Sequence, residues 1–106
     1  MSFITVLMTT ASEDEAIKIV HQLLKEKLIA CANIIERVHS VFWWQGSIKD
    51  SYEAMVIMKT RSKLLSNLMK TVKALHSYEV PEIIALPIVG GAPLYLGWVK
   101  SSTRKV

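Results

Sequence analysis

Two long apolar segments separated by a glycine constrain this chain more than any other feature. The first is Ile29–Gln45, which contains Phe42-Trp43-Trp44, and the second is Tyr52–Thr60. Both are rich in the β-branched and aromatic residues that strands favour. Gly46 and residues 47–50 read as the turn between them. The pattern predicts a β-hairpin whose arms are well beyond the usual five or six residues.

The adjacent tryptophans indicate that this hairpin is covered from outside the chain. Trp43 and Trp44 must face opposite sides of a strand, so one small core cannot hold both. Hydrophobic residues make up 51% of only 106 positions, and a domain of this size buries roughly 60–70% of its unfolded surface. Stacking on single-stranded nucleic acid is the alternative, but only Arg37 and Lys49 supply basic charge nearby. A subunit interface is the better interpretation.

The remaining segments predict two more strands and three helices. In chain order they are a strand at Phe3–Thr9, a helix from Ser12 to Lys27, a helix beginning at Ser62, a strand at Glu82–Val89 and a short helix at Leu94–Ser101. With the hairpin the order is β-α-β-β-α-β, the ferredoxin-like arrangement of the α+β class. It predicts a single domain over residues 1–106, with a four-stranded antiparallel sheet and both long helices on one face. We expect other subunits to cover the opposite face.

Local patterns refine two of these elements. Phe3–Thr9 lacks polar alternation, which predicts a central strand covered on both faces. Ser12 is followed three residues later by Glu15, the signature of a capping box in which each side chain bonds the other residue's backbone N–H. We therefore expect the first helix to begin just after Ser12.

Several functional classes are excluded by residue usage. Cys31 is the only cysteine, so neither a disulfide framework nor a thiolate zinc site is expected, and a small buried hydrophobe is its predicted role. The net charge of +4 comes largely from a basic tail. The rest of the chain is close to neutral, so no basic surface for binding nucleic acid is expected. Glycines and prolines interrupt the apolar stretch at 83–99, so no membrane span is expected. The residues indicate a cytoplasmic protein that is not an enzyme, because no nucleophile or cofactor motif is present.

Charged and polar residues embedded in apolar segments are the candidate functional groups. Glu53 and Lys59 share one face of the second hairpin strand, where each is expected to be solvated or paired. His76, Tyr78 and Glu82 surround Pro81 in a loop that leads into a strand. Imidazole and carboxylate groups there are suitable ligands for a divalent metal. The alternative is that His76 caps the carbonyl end of the second helix.

At this point the sequence resembles the CutA family of divalent-ion tolerance proteins. The resemblance covers roughly residues 3 to 102. It is carried by Leu28-Ile29-Ala30-Cys31-Ala32-Asn33, Ser40-Val41-Phe42-Trp43-Trp44-Gln45-Gly46, Lys59-Thr60-Arg61, the segment from His76 to Pro87, and Tyr95-Leu96-Gly97-Trp98. The motifs are long and ordered, and the family's fold agrees with the one predicted from periodicity.

The resemblance implies a compact homotrimer of PII-like architecture, with hairpins and sheet edges paired around a threefold axis. It places Trp44, Glu53, Lys59 and Tyr78 near a cleft between subunits. By the same resemblance His76, Glu82 and Met8 are the candidate metal ligands, with copper or another divalent cation as the metal. Met8 stands where copper-associated relatives can have a cysteine.

A thioether binds Cu(II) weakly. Some relatives also have a second histidine where this chain has Leu75. Together these replacements predict that His76 and Glu82 alone bind copper weakly and without selectivity.

Two functions follow as expectations. The first is a trimeric CutA-like protein that serves divalent-cation tolerance by binding a metal ion or a small ligand in clefts between subunits. The second is a structural or signalling interaction module of PII-like architecture with no metal role. Neither requires a catalysed reaction, a nucleic acid or a membrane.

Overall fold

A computed structural model describes residues 2–105, and it confirms the predicted order of elements. The strands are β1 (Phe3–Thr10), β2 (Cys31–Trp44), β3 (Ser47–Arg61) and β4 (Ile83–Pro87). The helices are α1 (Glu13–Lys25), α2 (Leu65–Leu75, preceded by a 3-10 turn at Ser62–Leu64) and α3 (Pro93–Ser102). The chain is thus an α+β fold of the β-α-β-β-α-β type with a short third helix.

The four strands form one antiparallel sheet in the order β2-β3-β1-β4. On β1 the alternate side chains Ile4, Val6 and Met8 are buried against α1 and α2. Thr5 and Leu7, which point to the other face, are only half-buried. The central position predicted for β1 is confirmed. Within the chain both long helices pack on the same side, so covering of the second face by another subunit stays a prediction.

Backbone geometry fixes both ends of α1. Ser12 Oγ accepts a hydrogen bond from the N–H of Glu15 at 3.1 Å, as the capping box predicts. The Glu15 carboxylate, however, accepts from the N–H of Ala11 instead of Ser12. The helix ends at Lys25, earlier than predicted, because Lys27 adopts a φ of 55° that no α-helix continues.

The hairpin turn is shorter than the sequence predicted. It consists of Gln45 and Gly46, whose φ angles of 49° and 81° are both positive, as in the two-residue turns that match strand twist. Residues 47–50 were expected in the turn but belong to β3, where Ser47 pairs with Trp44 and Asp50 with Val41. The prediction failed because a two-residue turn lets pairing begin at once on the other side.

β2 and β3 are longer than β1 and β4, so their far ends project from the sheet as a two-stranded ribbon. β1 pairs with β3 only from Ala54 to Arg61. Among residues 2–105, the hairpin beyond Ala54 therefore forms only the β2–β3 ladder. We call residues 38–53 the hairpin arm. A register irregularity between Ile35 and Val38 marks its base. The arm makes the chain elongated, with extents of 44 × 26 × 22 Å.

The C-terminal elements differ little from the predicted bounds. β4 is shorter than Glu82–Val89, and α3 begins one residue before Leu94 and ends one residue after Ser101. Arg61, at the end of β3, links the sheet to the C-terminal end of α3: its Nε donates a hydrogen bond to Thr103 Oγ1 at 3.0 Å. No helix within residues 2–105 is long and apolar enough to cross a membrane.

Candidate functional site

The polar residues of β3 lie on the sheet face away from α1 and α2, which we call the outer face. Strand alternation places Ala54, Val56 and Met58 in the core and leaves Glu53 and Lys59 half-buried on the outer face. The two charged residues are about 20 Å apart, at roughly 3.3 Å per residue. They therefore do not pair with each other, and each takes a separate partner.

Glu53 is held by Tyr78 from the loop between α2 and β4. The Tyr78 hydroxyl donates to Glu53 Oε2 at 2.6 Å. Partial burial and this bond to a carboxylate both raise the pKa of the Tyr78 phenol well above its usual value. The phenol therefore remains a donor across the physiological range, and one oxygen of Glu53 is occupied.

His76 is the most enclosed polar side chain of this region, with none of its ring exposed. Nε2 lies 2.8 Å from the carbonyl oxygen of Thr9, and Nδ1 lies 3.0 Å from the backbone N of Tyr78. These partners assign the neutral tautomer in which Nε2–H donates and Nδ1 accepts. Both nitrogens are thus engaged with backbone groups, and the ring does not cap the carbonyls of α2.

Glu15 completes the attachment of this loop to the body of the fold. Its carboxylate accepts from the N–H of Ser77 at 2.7 Å and from the Ser77 hydroxyl at 3.1 Å, and it lies 3.8 Å from His76 Nδ1. Burial alone would raise the pKa of Glu15, but these bonds, with that from Ala11, outweigh it and lower the pKa. The start of α1 therefore fixes the loop that carries Tyr78.

The three metal candidates occupy different environments. Met8 is fully buried in the core, whereas Glu82 is exposed just before β4. His76 reaches the backbone of Thr9, one residue after Met8, through the bond already described. Within residues 2–105 no three His, Cys, Asp or Glu side chains are grouped so as to hold a metal ion. A metal site built on His76, Glu82 and Met8 stays a prediction.

Lys59 and Cys31 meet at the opposite end of the outer face. They are cross-strand partners in the β2–β3 ladder, and Lys59 Nζ donates to Asn33 Oδ1. Cys31 Sγ lies 3.3 Å from the hydroxyl of Tyr95 on α3, and this contact raises the pKa of that phenol. Cys31 is half-buried, less than the small buried hydrophobe that the sequence predicted, because β2 is an edge strand and α3 covers it only in part.

Trp44 is remote from the other cleft candidates of its own chain. It pairs with Ser47 at the tip of the hairpin arm, whereas Glu53 pairs with Val38 at the base. Six residues of strand separate the two positions, which is about 20 Å. One chain therefore does not bring Trp44 and Glu53 together.

A shallow groove of about 290 Å³ lies beside Glu53, at the base of the arm. It is lined by Ala11, Ser12, Glu13, Glu36, Arg37, Tyr52, Glu53 and Ala54. The Arg37 guanidinium carbon lies 3.8 Å from the centre of the Tyr52 ring, a cation–π contact. Sequence reasoning missed these two residues as a pair, because the register irregularity that presents Arg37 has no signature in the residue pattern.

Comparison with known proteins agrees with this geometry. The family model described as "CutA1 divalent ion tolerance protein" matches residues 4–102. A divalent-cation tolerance protein CutA of Thermus thermophilus is 42% identical over 98 residues, which are 92% of this chain and 95% of that protein. The chloroplastic CutA 1 of rice is 44% identical over 102 residues, covering 96% of this chain but 58% of its own length. This chain thus spans little more than half of the plant relatives it matches.

Solved structures extend the agreement to three dimensions. The crystal structure of CutA1 from Oryza sativa superposes with a TM-score of 0.97 at 42% identity, covering 100% of this chain and 97% of that one. The structure of the periplasmic divalent cation tolerance protein CutA from Archaeoglobus fulgidus gives a TM-score of 0.92 at 39% identity, covering 94% of this chain and 97% of that one. Sequence, fold and topology agree along almost the whole chain, which therefore belongs to the CutA1 divalent ion tolerance family.

Proposed function

We propose that this chain assembles as a homotrimer and binds a metal ion or a small polar ligand in clefts between its subunits, without catalysing a reaction. The observation that carries the proposal is the exposed apolar surface of the hairpin arm. The proposal includes a role in divalent-cation tolerance, which is what the names of the relatives state. Copper is one candidate ion. A cytoplasmic location stays a prediction, since the relatives include proteins named chloroplastic and periplasmic.

Both faces of the arm carry large apolar side chains that the chain itself leaves uncovered. Val41 and Ile48 are each 64% exposed, and Trp43 is 72% exposed. Fully burying a large apolar side chain contributes about 1.5–3 kcal/mol, and contiguous apolar patches on protein surfaces commonly mark interaction sites. Packing against other copies of the chain would remove this surface from water on both faces at once.

The outer face of the sheet supports the same assembly. An antiparallel sheet that faces water on one side is normally polar on that side. Here Ile35, Ile84 and Leu86 lie on the outer face and are about half exposed. A neighbouring copy seated on this face would bury them next to Glu53 and Lys59.

The separation of the candidate residues favours a cleft composed of two copies. Trp44 lies about 20 Å from Glu53 within one chain, so a cleft that contains both needs the arm tip of a neighbouring copy. Closed threefold symmetry would then repeat the same cleft three times. In this arrangement Glu53 and Tyr78 come from one copy and Trp44 from another, and by the same measure Lys59, about 20 Å from Glu53 along β3, comes from a copy other than the one that supplies Glu53.

The chemistry of the groove beside Glu53 indicates a charged or strongly polar ligand. Glu13, Glu36 and Glu53 supply carboxylates, while Arg37 supplies a guanidinium on the Tyr52 ring. A hydrated divalent cation or a small molecule with ammonium groups suits the carboxylates.

Direct ligation by His76 is the more demanding route to a metal site. Before Nδ1 of His76 could bind a metal ion, it would have to give up the hydrogen bond that it accepts from the backbone N–H of Tyr78. We therefore place the metal role of His76, Glu82 and Met8 second to ligand binding near Glu53.

An interaction module without a ligand is the second candidate. It is favoured by the complete internal pairing of His76 and by the bond that already occupies Glu53. In this case the polar groups of the outer face serve only to hold the loop and the sheet together.

Calorimetric titration of metal-stripped protein with Cu(II) and Zn(II), combined with mass measurement by light scattering, separates the candidates. The test variants are Glu53→Gln and Glu82→Gln, and the matched control is Glu79→Gln, an exposed carboxylate in the same loop. A trimeric mass with heat that either test variant loses and the control keeps supports the ligand cleft. A trimeric mass without heat supports the interaction module, and a monomeric mass contradicts both.

A further inference from the structure

The two carboxylate oxygens of Glu53 are not equivalent. Oε2 accepts the hydrogen bond from the Tyr78 hydroxyl, a residue 25 positions away in the chain. Oε1 receives no hydrogen bond from any group within residues 2–105, where no fully buried side-chain oxygen lacks a partner. The chain therefore holds one oxygen of Glu53 in place and leaves the other available inside the proposed cleft.

The phenol that holds Oε2 is itself held by the body of the fold. The backbone N–H of Tyr78 donates to His76 Nδ1 at 3.0 Å, and His76 Nε2 donates to β1. Ser77, the residue between them, donates to Glu15 on α1 from both its N–H and its hydroxyl, at 2.7 and 3.1 Å. The direction of the Glu53 carboxylate is thus set by α1 and β1 through the loop that carries Tyr78.

We propose that Tyr78 is a positioning residue of the cleft, because by holding Oε2 of Glu53 it offers a single oxygen, Oε1, to a bound cation. The inference rests on the proposed function and deepens it by naming the kind of ion that the cleft takes. Hydrogen bonds of this kind orient the carboxylates that bind metal ions in proteins.

Binding through one oxygen favours an ion that needs few ligands. Zn(II) takes about four ligands, whereas Ca(II) takes about six to eight oxygens and gains from a carboxylate that binds with both. Within residues 2–105 no three His, Cys, Asp or Glu side chains are grouped to hold a metal, so the other ligands of the ion are water or groups of a neighbouring copy. The cleft should therefore prefer Zn(II) to Ca(II).

Glu15 acts on this arrangement only through the loop. Its carboxylate bonds Ser77 and Ala11 but not Glu53. Glu15→Gln should weaken Zn(II) binding by loosening Tyr78, although it changes no group that touches the ion. Since both residues act through one network, Glu15→Gln should add no further loss to Tyr78→Phe.

The test is calorimetric titration of the full chain with Zn(II) and with Ca(II), with light scattering on each sample to verify equal assembly. The variants are Tyr78→Phe, Glu15→Gln, the two combined, and Glu53→Gln. Tyr95→Phe is the matched control, because it also removes one phenolic hydroxyl, but that hydroxyl contacts Cys31 instead of Glu53.

We expect Zn(II) affinity to fall about 10–100-fold in Tyr78→Phe, by a smaller factor in Glu15→Gln, and not at all in Tyr95→Phe. Ca(II) affinity should stay the same or rise in Tyr78→Phe, because Oε2 becomes available. A merely structural role would lower both affinities together.

The outcomes separate this inference from the function on which it rests. Zn(II) binding that Glu53→Gln abolishes and Tyr78→Phe retains overturns the positioning role and leaves the proposed function standing. Equal losses of Zn(II) and Ca(II) affinity in Tyr78→Phe, or additive losses in the combined variant, also overturn the positioning role alone. If the unsubstituted chain binds no Zn(II), the metal role in the proposed function fails, and this inference fails with it.

Discussion

Replacing His76 by alanine should destabilise the fold by about 3–5 kcal/mol, because its enclosed ring joins its own loop to β1 through two hydrogen bonds. The ring donates to Thr9 on β1 and accepts from the backbone of Tyr78. His76→Ala leaves that carbonyl and that N–H without partners, and each unsatisfied buried group costs about 1–3 kcal/mol. Loss of ring packing adds to this cost.

Urea unfolding followed by far-UV circular dichroism measures the effect. It should be run with EDTA and at one protomer concentration, since bound metal and association both change apparent stability. His21→Ala is the matched control, and its exposed position predicts a change within about 0.5 kcal/mol. His76→Gln, which can replace one of the two bonds, should fall between the two.

The result also separates structural from ligand roles for His76. A loss of the same size with and without EDTA means that the ring holds the loop to β1. A loss below about 1 kcal/mol, or one equal to that of His21→Ala, would refute the reasoning from the two backbone bonds.

Three further outcomes are expected. Hydrogen bonds from Ser77 outweigh burial and lower the pKa of Glu15 below its ordinary value of 4.5. The contribution of Glu15 to the free energy of unfolding is therefore present above pH 4.5 and is lost as the pH falls towards the lowered pKa. Glu15→Gln should flatten the acid side of the stability–pH curve. Gly46→Ala should lower the free energy of unfolding in urea by about 1 kcal/mol, because φ at this position is +81°. Gly97→Ala should raise it by about 0.5–1 kcal/mol, because Gly97 lies in helix α3 with open space around it. Trp43→Ser should lower the mass measured by gel filtration and leave the far-UV spectrum unchanged, because Trp43 is 72% exposed.

The spacing of apolar residues along the sequence was enough to predict the order of helices and strands, because the buried side chains follow that spacing. The alternation on Tyr52–Thr60 places Tyr52, Ala54, Val56 and Met58 on one face. The last three are fully buried, whereas Tyr52, on the hairpin arm, is 55% exposed. The Ser12–Glu15 cap was equally local, because it depends on two side chains within one turn. Such features depend on residues close together in the sequence, so the sequence alone predicts them.

The site depended on contacts that no local pattern contains. The bonds from Tyr78 to Glu53 and from His76 to Thr9 join residues far apart in the chain. The meeting of Cys31 with Tyr95 depends on where α3 crosses the sheet. The family resemblance gave candidate residues for a cleft, but their partners within the chain became visible only in the folded structure.

Sedimentation equilibrium tests the central proposal, a cleft built from more than one copy, most directly. One chain has a mass of 11.9 kDa, and a homotrimer has about 36 kDa. The exposed arm, the apolar outer face and the distance between Trp44 and Glu53 all predict the larger mass at micromolar concentration. A single species near 11.9 kDa would contradict the assembly and, with it, the composite cleft.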